Sequence, residues 1–133
     1  MQKKPRCIIA SVMVSLFILA AVRAQDEMMV VNDPAFKDLR RPPAVFRHDE
    51  HNETAQIEDC NECHHVYDEA GQLVEDESSE DQRCSDCHEL QASGDKPALM
   101  KAFHLNCKGC HQEKKKGPVM CGQCHVRGFA WAE

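Results

Sequence analysis

The pentad Cys-x-x-Cys-His occurs four times in the second half of this chain. The copies are Cys60-Asn-Glu-Cys63-His64, Cys84-Ser-Asp-Cys87-His88, Cys107-Lys-Gly-Cys110-His111 and Cys121-Gly-Gln-Cys124-His125. This pentad is the attachment site of c-type haem: two thiols form thioether bonds with the porphyrin, and the adjacent histidine meets the iron. The sequence therefore predicts four covalently attached haem c groups, each with one iron.

Cysteine pairs with this spacing also occur in zinc ribbons and in disulfide-bonded exported domains. A zinc ribbon needs two pairs for each metal and no histidine after every pair. A disulfide framework does not need the histidine either. Because a histidine follows all four pairs, haem attachment is the interpretation that accounts for the whole pattern.

The histidines outside the pentads match the second axial positions of four haems in number. The chain has eight histidines, and the four that do not follow a cysteine pair are His48, His51, His65 and His104. Methionine is the rival ligand, and the candidates are Met28, Met29, Met100 and Met120. Iron with two histidine ligands has no open position for a substrate, and it lacks the rise in potential that methionine gives. The matched count predicts low-potential haems that exchange electrons.

The N-terminus has the pattern of a secretory signal peptide. Lys3, Lys4 and Arg6 precede an uncharged apolar run, and Val22-Arg23-Ala24 offers small residues at a cleavage site. We predict cleavage after Ala24, with residues 25–133 forming one tetrahaem domain in the periplasm and no stable membrane insertion afterwards. A retained membrane anchor is the alternative, because the apolar run is nearly long enough to span.

The composition leaves little material for a polypeptide core. The whole chain has one Trp, one Tyr and five Phe. So few large apolar side chains do not easily offset the conformational entropy of about 100 ordered residues. We therefore predict that the haems form the core and that the chain without haem is largely unfolded.

Two neighbouring motifs resemble those of a known family. A Phe-x-His-x-x-His element lies at Phe46–His51, and the first pentad is extended to Cys-x-x-Cys-His-His at Cys60–His65. In combination they resemble the tetrahaem cytochromes c3, also called class III cytochromes c, of sulfate-reducing bacteria. The resemblance extends roughly from Val30 to His125. All four pentads have two residues between the cysteines, and with the acidic composition this is similar to the acidic type II cytochrome c3.

The resemblance implies a fold, a ligand set and a role. The fold is a small multihaem cytochrome, mostly irregular, with few short helices and a short N-terminal β-hairpin wrapped around four haems. Phe46 packs between haems. The role is electron transfer in anaerobic sulfate respiration, from hydrogenase, formate oxidation or a basic cytochrome toward a membrane redox complex. The implied axial pairs are His48 with His64, His65 with His88, His51 with His111, and His104 with His125.

Charge is distributed unevenly along the chain. Residues 49–89 contain 15 acidic side chains and one basic one, Arg83, whereas residues 94–133 contain three acids and seven Lys or Arg. We expect the acidic half to meet a basic redox partner, although a solvated surface accounts for the same run. Lys108 and 114–116 are available to an acidic patch. The net charge of −6 argues against nucleic acid as a partner.

Local patterns predict sparse secondary structure. Residues 28–31 and 44–46 are able to pair as a hairpin, with irregular coil as the alternative. Lys96–His104 is the best helix candidate, because Asp95 is a suitable cap and Pro97 fits the first turn. A short helical turn is expected at each pentad. Residues 69–82 read as an exposed polar loop.

Three functions fit these patterns. The leading one is an electron carrier that is not an enzyme. The second is a small multihaem reductase of metals or oxyanions, which needs an iron without its second histidine. The third is a dedicated subunit of a membrane-associated complex. The matched histidine count favours the carrier over the reductase.

Overall fold

The structure, a computed structural model, describes residues 28–130. The predicted signal peptide at residues 1–24 lies outside the described residues. Secondary structure in residues 28–130 is sparse: four two-residue strands, several short helices and long irregular connections. Within this part of the chain, no helix has the length and apolar character needed to cross a membrane.

The predicted N-terminal hairpin is present. Strand β1 (Val30–Val31) pairs antiparallel with β2 (Ala44–Val45). Just past the strands, the Phe46 N–H donates to the Met29 carbonyl at 3.0 Å and extends the pairing. The chain then enters helix α1 (His48–Ala55). The hairpin thus fixes the start of the helix that carries two of the candidate ligands.

A second hairpin extends into residues 69–82, which the sequence predicted to be a polar loop. Strand β3 (Val66–Tyr67) pairs antiparallel with β4 (Leu73–Val74). Gly71 supplies the positive φ of 75° in the turn, and the Asp68 carboxylate accepts two backbone N–H bonds at 2.8 and 2.9 Å. The prediction was wrong for β4, because two apolar residues are too short a run to give a periodic pattern.

The longest helical stretch among residues 28–130 is formed by three segments that follow one another without a break. They are α3 (Leu99–His104), a π turn (Leu105–Gly109) and α4 (Cys110–Lys114). The predicted helix at Lys96–His104 began too early, because Ser93–Lys96 closes into a turn with two backbone bonds of 3.0 and 3.1 Å. It also ended too early, since the helix continues through the third pentad.

Helical turns carry the other pentads as well, as predicted. The first lies on a 3₁₀ turn (Cys60–Glu62), the second on α2 (Cys84–Cys87) and the fourth on α5 (Cys121–Cys124). A single helical turn brings residues three apart to the same face. Both thiols of each pentad therefore lie on one side of their turn.

The polypeptide core is very small. Among residues 28–130, the buried residues are Asp33, Pro43, Leu99 and Ala102. Large apolar side chains such as Met100 and Met120 are 62% and 67% exposed. A chain with this burial cannot hold its fold by protein packing alone. This sparse burial agrees with the prediction that bound haems, and not the polypeptide, form most of the core.

Candidate haem-binding sites

The second and fourth pentads cap their own helical turns. The Asp86 carboxylate accepts the Arg83 N–H at 2.8 Å, and the Gln123 side-chain oxygen accepts the Met120 N–H at 2.8 Å. In both pentads the residue just before the second cysteine satisfies a donor at the start of the turn. The second variable position of these pentads therefore stabilises the local structure that presents the thiols.

Backbone hydrogen bonds fold each of three pentad histidines back onto the first cysteine. The N–H of the histidine donates to the carbonyl of that cysteine. The bonds are His64 to Cys60 at 2.9 Å, His88 to Cys84 at 2.8 Å, and His125 to Cys121 at 2.9 Å. Each turn therefore gathers two sulfurs and one imidazole around a small patch of surface.

Three pentad histidines donate their Nδ1–H to the carbonyl of a proline. The pairs are His88 with Pro97 at 3.0 Å, His111 with Pro118 at 2.7 Å, and His125 with Pro42 at 2.7 Å. A carbonyl only accepts hydrogen bonds, so Nδ1 must carry the proton and Nε2 keeps its lone pair. A ring held in this way by a backbone carbonyl is typical of a histidine that binds a metal through its other nitrogen.

His104 is held in the same manner from within its own helix. Its Nδ1 donates to the Met100 carbonyl at 2.7 Å. This contact leaves Nε2 as the nitrogen with the free lone pair. Met100 contributes its backbone carbonyl to this contact, and the residue is 62% exposed.

Three of the four expected histidine pairs lie close together, with their rings tilted or edge-on and at closely similar distances. Two imidazoles that bind one metal from opposite sides have ring centroids roughly 6.3 Å apart, because each metal–nitrogen bond is about 2.0 Å. The observed centroid distances are 6.0 Å for His51 and His111, 6.2 Å for His65 and His88, and 6.4 Å for His104 and His125. The spacing in all three pairs fits a shared axial metal.

The fourth expected pair, His48 and His64, is not brought into ring contact. His48 instead contacts its own helix, with Nδ1 at 2.8 Å from the Asp49 carboxylate and Nε2 at 3.5 Å from the Asn52 amide. His64 is held through its carbonyl, which accepts the Ser79 N–H at 2.9 Å. The structure therefore gives each of the two histidines its own contacts, and it does not pair their rings.

Two aromatic rings lie beside the candidate ligands. The Phe46 ring is 4.9 Å from His51 and 6.0 Å from His48, measured between centroids. The Tyr67 ring meets the His65 ring edge-on at 5.4 Å. Both aromatic residues thus restrict the orientation of imidazoles that the sequence predicts as ligands, and the Tyr67 contact was not predicted.

The four pentads converge in space. Cys107 keeps some solvent contact, yet burial by the surrounding protein raises the pKa of its thiol. Nearby Cys63, Cys84 and Cys124, one from each other pentad, also raise it, and these effects together bring the pKa to about 11. A direct bond also joins two sites, since the Asn106 amide donates to the Cys63 carbonyl at 2.9 Å.

Gly117 fits against the imidazole of the third pentad and was not predicted as a site residue. Its φ is +80°, and an added Cβ would lie 2.7 Å from Cδ2 and 2.8 Å from Nε2 of His111. Neither distance is compatible with a side chain. The Gly117-Pro118 dipeptide is a turn signal in the sequence, but its closeness to His111 comes only from the fold.

Comparison with known proteins gives the family. The family model of the class III cytochromes c matches residues 24–125. The chain belongs to this family. A cytochrome c3 from Desulfovibrio desulfuricans is 36% identical over 108 residues, which cover 74% of this chain and 93% of that protein. A cytochrome c3 from Maridesulfovibrio salexigens is 34% identical over 110 residues, covering 74% and 92%.

A solved structure is also similar, at lower identity. The cytochrome c7 PpcB from Geobacter sulfurreducens matches 77% of this chain and 100% of its own, with 25% identity and a TM-score of 0.38. The family match and the cytochrome c3 relatives carry the assignment. This class III cytochrome c is a multihaem electron-transfer protein with covalently bound haem c.

The residues present fit haem c. Each pentad offers two thiols on one helical turn, and the four histidines that donate Nδ1–H to a carbonyl keep an Nε2 lone pair for iron. When bound, such a group accepts and releases one electron at its iron. The polypeptide fixes the imidazoles and sets the local charge.

We expect the buried carboxylate of Asp33 to lower the potential of the second haem. Asp33 is 7% exposed and accepts the Ala35 N–H at 2.9 Å. Burial raises the pKa of the Cys84 thiol, and the nearby negative charge of Asp33 also raises it, so we expect this charge to act at the second pentad. A negative charge near an iron favours the oxidised form.

The variant Asp33→Asn removes this charge and keeps the oxygen that accepts from Ala35. One of the haem potentials should rise by roughly 50 mV, where 59 mV is a tenfold change for one electron. Spectroelectrochemical titration measures it. The matched control is Asp38→Asn, an exposed residue on the same segment, whose charge is screened by water. Unchanged potentials in Asp33→Asn would contradict the assignment.

Proposed function

We propose that this class III cytochrome c carries four haems, each with two histidine ligands. The haems attach to Cys60 and Cys63, Cys84 and Cys87, Cys107 and Cys110, and Cys121 and Cys124. The axial pairs are His48 with His64, His65 with His88, His51 with His111, and His104 with His125. The observation that carries the proposal is the spacing of three of these pairs at 6.0–6.4 Å.

The ligand set defines the role. Iron with two histidine ligands is closed to substrates and has a low potential. We therefore assign the chain as a periplasmic carrier that takes electrons from hydrogenase, formate oxidation or a basic cytochrome to a membrane redox complex in sulfate respiration. The pattern of two residues within all four pentads and the acidic composition support the type II form of the family.

The chain holds its four sites close enough for electrons to pass among them. His64 and His65 are neighbours but belong to different axial pairs, so the first two haems share one dipeptide. The hydroxyl of Ser79 donates to the His65 carbonyl at 3.2 Å, and the Ser79 N–H donates to the His64 carbonyl. One residue therefore holds the backbone of both histidines. Such crowding makes the four potentials interdependent.

The distribution of charge supports a basic partner. All seven carboxylates of residues 68–81 are exposed, and this segment contains no Lys or Arg. A surface with one sign of charge steers an oppositely charged protein and speeds its association. The acidic half is therefore the side that we expect to meet a basic cytochrome, while Lys114–Lys116 lie beside the third pentad.

This steering gives a test with matched variants. Glu75→Gln, Asp76→Asn and Glu77→Gln together should slow electron exchange with a basic cytochrome roughly tenfold at low ionic strength. The control is another triple neutralisation of exposed acids elsewhere: Asp38→Asn, Asp95→Asn and Glu113→Gln. Stopped-flow mixing measures the rates. Added salt should make the electron-exchange rates of the two triple variants similar, because it screens the attraction between the proteins. Equal rates at low salt would contradict the acidic docking surface.

One observation favours a second candidate function, a reductase of metals or oxyanions. The structure leaves the His48 ring on its own helix, in contact with Asp49 and Asn52, and apart from His64. If this arrangement persists in the loaded protein, the first haem has an open axial position. Carbon monoxide binding to the reduced protein distinguishes the two functions, since only an open iron binds it.

A further inference from the structure

One unbroken helical stretch carries ligands for two different haems. Residues 99–114 form α3, the π turn and α4 in succession. His104 ends α3, and it belongs to the axial pair of the fourth haem. Cys107, Cys110 and His111 belong to the third haem. The stretch must therefore present its two histidines in different directions.

A regular α-helix cannot do this at the spacing found here. His104 and His111 are seven residues apart, and residues at that spacing in an α-helix differ in direction by only about 20°. Both imidazoles would then leave the same face of the helix. In the structure they meet different partners: the His111 ring lies 6.0 Å from His51, and the His104 ring lies 6.4 Å from His125.

The π turn between the two histidines resolves this conflict. Its hydrogen bonds close over five residues instead of four, so the turn holds one residue more than an α-helical turn. One residue corresponds to about 100° of rotation. The seven-residue step then turns the chain about as far as six residues of α-helix, and the two histidines point roughly 120° apart.

We infer that the extra residue of the π turn at Leu105–Gly109 is a positioning element, which turns His104 away from His111 so that one helix serves two haems. The inference rests on the axial pairs proposed above. The turn is held from outside, because the Asn106 amide donates to the Cys63 carbonyl at 2.9 Å. Leu105 is 55% exposed, so its side chain packs little. Its contribution to the turn is therefore the additional residue of backbone.

Deletion of Leu105 tests the inference directly in the loaded protein. The deletion removes one residue from the turn and keeps Asn106 and the third pentad. We expect all four haems to remain attached by intact mass, while one of the four changes from low-spin to high-spin because His104 no longer meets its iron. Added imidazole should restore the low-spin state by filling the open position. The high-spin signal should match that of His104→Ala.

Leu105→Ala is the matched control, since it keeps the length of the turn and removes the side chain. It should retain four low-spin haems. If the deletion also retains four low-spin haems, the inference is overturned. If the unaltered protein itself contains a high-spin haem at the fourth site, the proposed ligand pairs fail instead, so the two failures are distinguishable.

A measurement on the unaltered protein stands independently of whether the deletion variant folds. Low-spin ferrous haem is diamagnetic, so scalar couplings across backbone hydrogen bonds can be measured by nuclear magnetic resonance in the reduced protein. The inference expects amides after the turn to pair with carbonyls five residues earlier. Pairing with carbonyls four residues earlier throughout residues 104–111 would overturn it.

Discussion

The chain without its haems is expected to show no cooperative thermal unfolding and a largely disordered circular dichroism spectrum. Of residues 28–130, only four are buried, and the buried apolar side chains among them are Pro43, Leu99 and Ala102. A fully buried leucine contributes about 2 kcal/mol, whereas ordering one residue of backbone costs roughly 1–2 kcal/mol. Protein packing therefore falls far short of the entropy cost.

The measurement compares the loaded protein with a variant in which all eight pentad cysteines are serine. Serine is close in size to cysteine, and none of the eight cysteines is fully buried, so any loss of structure follows from the missing haems. The loaded protein should melt in one cooperative transition. A cooperative melt from the haem-free variant would contradict the view that the haems form the core.

Gly117→Ala is expected to displace His111 and to convert one haem of four to the high-spin form. Alanine at φ +80° costs about 1–2 kcal/mol, and its methyl group would lie 2.7 Å from the His111 ring. Overpacking of this kind costs typically about 1–3 kcal/mol more. The carbonyl that holds the His111 ring at 2.7 Å belongs to Pro118, the residue after Gly117. A shift of the backbone at Gly117 therefore also moves the group that holds the ring, and we expect the ring to be displaced.

A matched glycine separates the clash from the backbone strain. Gly128 has a φ of +75° and nothing within 4 Å of an added Cβ. Gly128→Ala should therefore cost about 1–2 kcal/mol of stability and leave every haem low-spin. Electron paramagnetic resonance of the ferric proteins measures the spin states. If Gly117→Ala and Gly128→Ala give the same low-spin spectrum, Gly117 does not position His111.

Residue types and spacing predict the local structure of the pentads well, because that structure depends on few consecutive residues. A pentad needs only five consecutive residues, and each of the four was found on a helical turn. The hairpin of β1 and β2 was also predictable, since its apolar pairs flank a turn-rich segment. The family resemblance, based on Phe46–His51 and Cys60–His65, is confirmed by the family match.

Contacts between distant segments were beyond such reasoning. Nothing in the sequence links His125 to Pro42, which lie 83 residues apart, or Asn106 to Cys63, which lie 43 apart. The π turn was not predicted either, because a segment of five residues is too short to show a hydrophobic period. The start of α3 was misplaced for a related reason: Asp95 and Pro97 suit a helix start, but the closed turn at Ser93–Lys96 takes precedence.

The most direct test of four haems with two histidines each is a redox titration by electron paramagnetic resonance, with a haem count by intact mass. We predict four haems, all low-spin and six-coordinate, with low and overlapping potentials. A high-spin, five-coordinate signal, or fewer than four haems on the mature chain, would contradict the account. Such a signal from the first haem would show that His48 does not bind its iron, and it would favour the reductase.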